Sequence, residues 1–163
     1  MENPARVVFA RDTRASGARL VGILNSALTA SEVEFQDFKY LTTPQLHYIV
    51  RALNTLGTPY EYGEPTEQGY YVKLAEAFKR VMKNVKVQGS LTVDCANGVG
   101  GPKLRELIKY LPSPEEGGVE IKVVNDDVIN PDRLNFEVRL GSKAKMVKIH
   151  ADFSSAVATS SRQ

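Results

Sequence analysis

The chain has 163 residues, 21 Lys and Arg against 19 Asp and Glu for a formal net charge of +2, and a single cysteine. That length suits one ordinary domain or two small incomplete ones, and the near balance of charge supplies no field that would favour nucleic acid or an anionic membrane. Cys95 has no partner for an internal disulfide, no apolar run reaches the ~20 residues that cross a bilayer, and "MENPARVV" lacks the basic start and apolar core of a signal peptide, so the chain reads as cytoplasmic.

In chain order, Ala5 to Ala10 is a Val- and Phe-containing apolar run of the kind found in a buried strand. A helix follows over about Gly17 to Thr29, with Ser16 as its N-cap and Leu20, Ile23, Leu24, Ala27 and Leu28 as one apolar stripe. "VEFQDFKYL" carries strand-type residues and runs into a second helix. There Pro44 fits the first turn, Thr43 caps it, and Leu46, Ile49, Val50 and Leu53 supply the buried face. The β-α-β-α alternation argues for an α/β fold with parallel or mixed sheets and crossover helices.

Gly57 to Gly69, "GTPYEYGEPTEQG", is rich in breakers and reads as a linker or loop. A long helix comes next, with Tyr71, Leu74, Ala75, Phe78, Val81, Met82 and Val85 on its apolar face and Lys73, Glu76, Lys79, Arg80 and Lys83 on the other. "SLTVDCANGVGGPKLRELIKYL" then repeats the plan of strand, Gly-rich turn and helix, with Leu104, Leu107, Ile108 and Leu111 apolar. "VEIKVVND" is a further strand. Beyond Glu137 periodicity fades. Residues 138–163 hold Arg139, Lys143, Lys145, Lys148 and Arg162 against Asp152 alone, a local net charge of +4, and read as a disordered tail. The boundaries expected are 1–58, 59–89 for the joint and its helix, 90–137, and 138–163.

Two strand-end turns can carry chemistry. In "RDTR", Arg11 and Arg14 can clamp a phosphate while Asp12 holds one of them, next to the amides of a helix N-terminus. The alternative is that Asp12 and the arginines only brace the loop. In "DCANGVGG", Asn97, Gly98, Gly100 and Gly101 permit positive φ and a phosphate-facing turn, but the pattern is not G-x-G-x-x-G, and tight strand-to-helix packing competes with ligand binding. Asp94 suits a turn-stabilising role. His47 has no second ligand at metal spacing, His150 supports nothing, and Cys95 has no basic partner that would make it a nucleophile. Asp126 and Asp127 suit a solvated loop, and tyrosines 60, 62, 70 and 71 suit a joint. The basic tail lacks the interleaved aromatics of a nucleic-acid site.

"FARDTRASGARL", "LTTPQLHY", "GYYVKLAEAF" and "LTVDCANGVGGPKLREL", in that order and followed by "VVND" and Leu134-Asn135, resemble the α-D-phosphohexomutases over roughly residues 5–137. The interval from Gln45 to Val93 holds no T-A-S-H-N-P loop. This is similar to the branch that acts on N-acetylglucosamine phosphates, where that loop lies upstream of R-D-T-R. The resemblance implies a four-domain isomerase. In it a phosphoserine exchanges phosphoryl groups between the 6- and 1-positions of the sugar, with Mg²⁺ held by a D-G-D-x-D-R loop, in service of UDP-N-acetylglucosamine synthesis. Neither loop occurs in these 163 residues. The expectation is therefore an incomplete mutase, inactive alone, with no catalytic or metal-binding residue of its own and with Arg11, Asp12 and Arg14 supporting the serine loop or the substrate phosphate. The expected partner of the whole enzyme is a sugar phosphate, with neither nucleic acid nor membrane. No oligomeric state follows from the sequence.

After Leu134-Asn135 the family pattern continues toward C-G-A-D-[YF]-V-K, whereas this chain reads "FEVRLGSKAKMVKIH". That departure has the look of intron read-through, a frameshift or an alternative exon. Two further readings stay open beside the incomplete mutase: a non-catalytic α/β module that binds a sugar phosphate or a protein partner, and a piece with no independent role.

Overall fold

The structure, a computed structural model, describes residues 6–85 and 89–135; the tail expected from 138 onward lies outside them. The order is β1 (Arg6–Arg11), α1 (Gly17–Ala30), β2 (Glu34–Tyr40), α2 (Thr43–Thr55), α3 (Glu67–Val81), β3 (Ser90–Asp94), α4 (Gly100–Ile108) and β4 (Glu120–Val124), with short 3-10 turns at Pro114–Glu116 and Pro131–Arg133. β1 pairs with β2, and β3 with β4, both in parallel. Each pair is joined through a helix, as parallel strands require. Among the described residues each strand is paired on one side only, so β1 is less buried than its apolar run implies and only Phe9 is fully enclosed.

The β1–β2 register runs from Arg6 opposite Glu34 to Phe9 opposite Asp37, then slips so that Arg11 faces Tyr40. The slip has a local cause. Lys39 takes a positive φ of 62°, while the Asp37 carboxylate accepts its backbone amide at 2.7 Å and its Nζ at 2.9 Å. Burial pushes the Asp37 carboxyl up, but those two bonds and the charges of Lys39 and Arg11 outweigh it and leave the group below its ordinary value.

Helix faces differ from the expected stripes. On α1 the inward positions are Gly17, Val21, Leu24, Asn25 and Leu28, while Leu20 and Ile23 are each 55% exposed. Gly17 decides the rotation, because it lies under the Arg11 side chain, where a Cβ would sit 3.5 Å from Arg11 Cδ. On α2 the enclosed residues are Gln45, Tyr48, Ile49 and Ala52, with Leu46, Val50 and Leu53 only partly covered. Tyr48 turns this helix toward α3, its ring 5.6 Å from both Tyr62 and Tyr70. The core gathers Leu41, Tyr48, Ile49 and Ala52, with Ala10, Phe38, Leu53, Tyr62 and Tyr70 packed on it.

Two helix starts also move. The residue preceding α2 is Thr42 rather than Thr43, and its amide donates to Gln45 Oε1 at 2.9 Å, the side-chain half of a capping box. α3 begins at Glu67, inside the expected loop, because the Thr66 hydroxyl accepts the Gly69 amide at 3.0 Å. Ser16 precedes α1 but makes no capping bond with its side chain. Of the tyrosines expected at the joint, 62 and 70 pack on Tyr48 and 71 packs on Tyr70, while Tyr60 stands 84% exposed. Lys73 does not face solvent, since its Nζ lies 3.7 Å from the Tyr62 ring centre and donates to the Tyr62 carbonyl. The far end of the apolar stripe on α3 is open, with Val81 75% exposed, and α4 encloses only Gly101.

Two glycines test this packing. At Gly69 a Cβ would collide with the Glu64 carbonyl and lie 2.9 Å from Tyr48 Oη, whereas at Gly22 it would meet nothing within 4 Å. Gly69→Ala is expected to cost about 2 kcal/mol by overpacking, and Gly22→Ala to add about 0.5 kcal/mol by stiffening the unfolded chain. Urea unfolding followed by circular dichroism checks both.

Candidate functional site

The R-D-T-R turn leaves the end of β1 with both arginines already engaged. The Arg11 carbonyl accepts the Leu41 amide at 3.2 Å, and its guanidinium carbon lies 4.8 Å from the centre of the Tyr40 ring. Asp12 Oδ1 accepts the Arg14 amide at 3.0 Å, and Oδ2 pairs with Arg14 Nη1 at 3.2 Å. Asp12 thus orients Arg14, whose side chain stays 68% exposed and presents its guanidinium to solvent beside the start of α1. Among the described residues, Arg11 Nε and the Thr13 hydroxyl are buried without a hydrogen-bond partner. Buried polar atoms normally have one, so this turn retains donor capacity pointed inward.

A cleft of about 440 Å³ opens beside the turn, lined by Ala10, Arg11, Asp12, Leu41, Thr42, Thr43, Leu46, His47 and Val99. It brings the strand-end turn of the first sheet, the T-T-P turn and the Gly-rich turn of the second sheet to one place. That volume is in the usual range for small ligands. Arg14 lines a neighbouring depression with Arg11, Asp12, Ser16 and Gly17. Thr42, His47 and Val99 were not marked as site residues by the sequence, which carries no local sign that their turns converge. His47 is exposed on α2 and, among the described residues, no three His, Cys, Asp or Glu side chains form a metal-binding group.

The Gly-rich turn is held by one buried amide. Asn97 Nδ2 donates to the Arg133 carbonyl at 2.9 Å, and its Oδ1 accepts the Asp127 amide at 3.0 Å, tying the loop after β4 to the loop after β3. Ala96 and Asn97 both take positive φ, 51° and 54°. Asp94 stabilises the turn as expected, accepting the Ala96 amide at 2.9 Å and Asn125 Nδ2 at 2.8 Å. Asp126 is not simply solvated, because it pairs with Arg105 across α4 and backs Gly101, where a Cβ would lie 2.7 Å from Asp126 Cβ. Burial, and then the charges of Asp126 and Asp94, push the Cys95 thiol up, which suits a packed thiol and opposes a nucleophile.

These contacts give two expected outcomes. Asn97→Ala leaves the Asp127 amide and the Arg133 carbonyl unpaired and should cost about 3 kcal/mol in urea unfolding; a cost below about 1 kcal/mol would show the hub to be dispensable. Alkylation of Cys95 by iodoacetamide should rise with pH only above the range of a free thiol. Asp126→Asn should move that rise to lower pH, because it removes the carboxylate that opposes the thiolate more strongly.

Residues 1–60 match the family model described as phosphoglucomutase/phosphomannomutase, alpha/beta/alpha domain I. Phosphoacetylglucosamine mutase 2 of Schizosaccharomyces pombe is 42% identical over 131 residues, which are 80% of this chain and 24% of that protein. The human phosphoacetylglucosamine mutase is 41% identical over 130 residues, 77% of this chain and 23% of that one. The crystal structure of Aspergillus fumigatus N-acetylphosphoglucosamine mutase in complex with GlcNAc-6P and magnesium is 71% identical, with a TM-score of 0.77 over 89% of this chain and 30% of the other. An apo-form crystal structure of N-acetylglucosamine-phosphate mutase, a member of the α-D-phosphohexomutase superfamily, is 41% identical at a TM-score of 0.68, covering 82% of this chain and 27% of that one. The chain spans about a quarter of the length of the curated relatives it matches. Sequence identity held across four-fifths of the chain, on a backbone that superposes on solved structures, makes this chain similar to one stretch of the α-D-phosphohexomutases, on their phosphoacetylglucosamine mutase branch.

Proposed function

We propose that this chain contributes one wall of a sugar-phosphate cleft to a phosphoacetylglucosamine mutase, which interconverts the 6- and 1-phosphates of N-acetylglucosamine. The reading is carried by the convergence of Arg11, Asp12, Thr42, Thr43 and Val99 on one cleft, in a chain whose relatives include a structure named as a complex with GlcNAc-6P. In this assignment residues 1–58 belong to the first domain, 59–89 form the joint, and 90–137 begin the second domain.

Phosphoryl transfer depends chiefly on neutralising charge and fixing geometry. Arg14, oriented by Asp12, suits a phosphate group at the edge of the site, and the unpartnered Nε of Arg11 suits bracing of a neighbouring loop. None of these side chains is assigned a covalent role. Magnesium is proposed for the whole mutase, because one solved relative is named as its complex. The described residues of this chain offer no set of carboxylates that would hold the ion, so its ligands are assigned elsewhere. The ion would offset phosphate charge.

The reading predicts that the 163-residue chain binds N-acetylglucosamine 6-phosphate without converting it, since no segment of it matches the family's phosphoserine motif. Calorimetric titration should show saturable binding, weakened about tenfold by Arg14→Ala, the loss expected for one charge-assisted contact. No binding at millimolar ligand would remove the cleft assignment. Conversion above a blank, with Mg²⁺ and a bisphosphate activator present, would overturn the non-catalytic reading of this chain. A binding module without catalysis is the second reading, favoured by the exposed guanidinium of Arg14, and binding with no effect on any mutase would select it.

A further inference from the structure

Among the described residues the two parallel sheets share no strand, yet a line of side chains runs between them through the helices. The Thr42 amide and hydroxyl both donate to Gln45 Oε1 at 2.9 Å. Gln45 Nε2 donates to Tyr71 Oη at 3.0 Å, the Tyr71 hydroxyl donates to Glu67 Oε1, and Lys103 Nζ donates to both Glu67 oxygens at 2.9 and 2.8 Å. Four elements are joined in this way: the T-T-P turn, α2, α3 and the first turn of α4.

The direction of every bond in the line is set. A carboxylate only accepts and an ammonium only donates, so Tyr71 must spend its proton on Glu67 and can only accept from Gln45. That leaves the amide oxygen of Gln45 facing Thr42, and the flipped amide would bring two donors face to face. Donors arranged head to tail polarise one another, more so where water is excluded. Gln45 is 1% exposed and Tyr71 4%. The Lys103 side chain, at 18% exposed, is more enclosed than a lysine usually is.

The ends of the line matter for the cleft. Thr42 lines the cleft directly, and Lys103 lies four residues after Val99, which lines it from the other unit. Glu67 and Tyr71 do not line it. We propose that Glu67 and Tyr71 are positioning residues, a polar latch that sets the separation of the T-T-P turn from the Gly-rich turn and hence the shape of the phosphate cleft. This rests on the cleft assignment made above, but the latch itself can be tested without it.

The test uses the whole 163-residue chain and two readouts. Tyr71→Phe keeps the ring and its contacts with the Tyr70 and Tyr110 rings while removing both of its bonds. With the fold retained by circular dichroism, exchange of the Thr42 amide should accelerate about tenfold, and the Val99 amide should shift in a nitrogen-15 correlation spectrum. Lys103→Met should move the Thr42 amide as well, from 61 positions along the chain. The double variant Tyr71→Phe/Lys103→Met should change exchange at Thr42 by less than the product of the two single effects. Lys109→Met, which removes an exposed pair with Glu106, should leave Thr42 unmoved. If Tyr71→Phe unfolds the chain, Glu67→Gln replaces it, because it discharges the acceptor with little change in shape and should give the same Thr42 and Val99 responses.

Responses confined to the neighbours of each substitution, or strictly multiplicative effects in the double variant, would overturn the latch. Titration with N-acetylglucosamine 6-phosphate separates the two proposals. Weaker binding in Tyr71→Phe supports both. Coupled amide responses in a chain that never binds the sugar phosphate leave the latch standing and remove the cleft assignment.

Discussion

Everything on the cleft side of this protein depends on a fully enclosed glutamine. Gln45 sits in the first turn of α2, 1% exposed, with its amide against the Tyr71 hydroxyl. An amide taken from water without partners costs a few kcal/mol. Here its oxygen takes two donors from Thr42 and its nitrogen meets Tyr71. The same contacts that make its burial tolerable start α2 at the T-T-P turn and press α3 against it. Tyr71 is held in its neutral form by burial and by its bond to Glu67, which push its phenol far above the ordinary range.

From that point the architecture spreads in two directions. Toward the first sheet, Leu41 takes the Arg11 carbonyl and so attaches the end of β1 to the start of α2. Toward the second sheet, Glu67 takes Lys103 and so attaches α3 to α4. The second sheet organises its own turn around Asn97, which ties residues 127 and 133 to the turn after β3. Phosphoryl-transfer sites need groups held in fixed geometry more than they need many reactive groups. The proposed cleft is assembled from three turns on two sheets, and polar side chains join those sheets where, among the described residues, no backbone ladder is shared.

The sequence was most informative where chemistry is local. Each of the eight strands and helices follows from apolar periodicity and turn residues, and the parallel pairing follows from their alternation. Helix faces were less legible. α1 turns its Gly17 side inward because a glycine lets the Arg11 stem approach, which hydrophobic counting overlooks. α2 turns toward Tyr48 because the Tyr62 ring, from a stretch that reads as loop, and the Tyr70 ring just beyond it pack there. The start of α3 was hidden by Gly69, read as a breaker but required as a helical residue with no room for a Cβ. The Arg11–Arg14 turn was identifiable as a candidate site; the ring under Arg11 and the pairing of Asp12 with Arg14 rather than with Arg11 were not.

What the sequence by itself determined is the class, the element order and the family resemblance, because periodicity is a property of neighbours in the chain and four motifs in one order are a specific signature. Only the tertiary structure decided which faces are buried, that Asn97 and Gln45 are buried hubs, and that Thr42, Arg11 and Val99 share a cleft. The physical reason is that a polar side chain carries no mark of its burial. Gln45 and Asn97 are enclosed because partners 26 and 36 residues away satisfy them, and no local pattern records a partner at that distance.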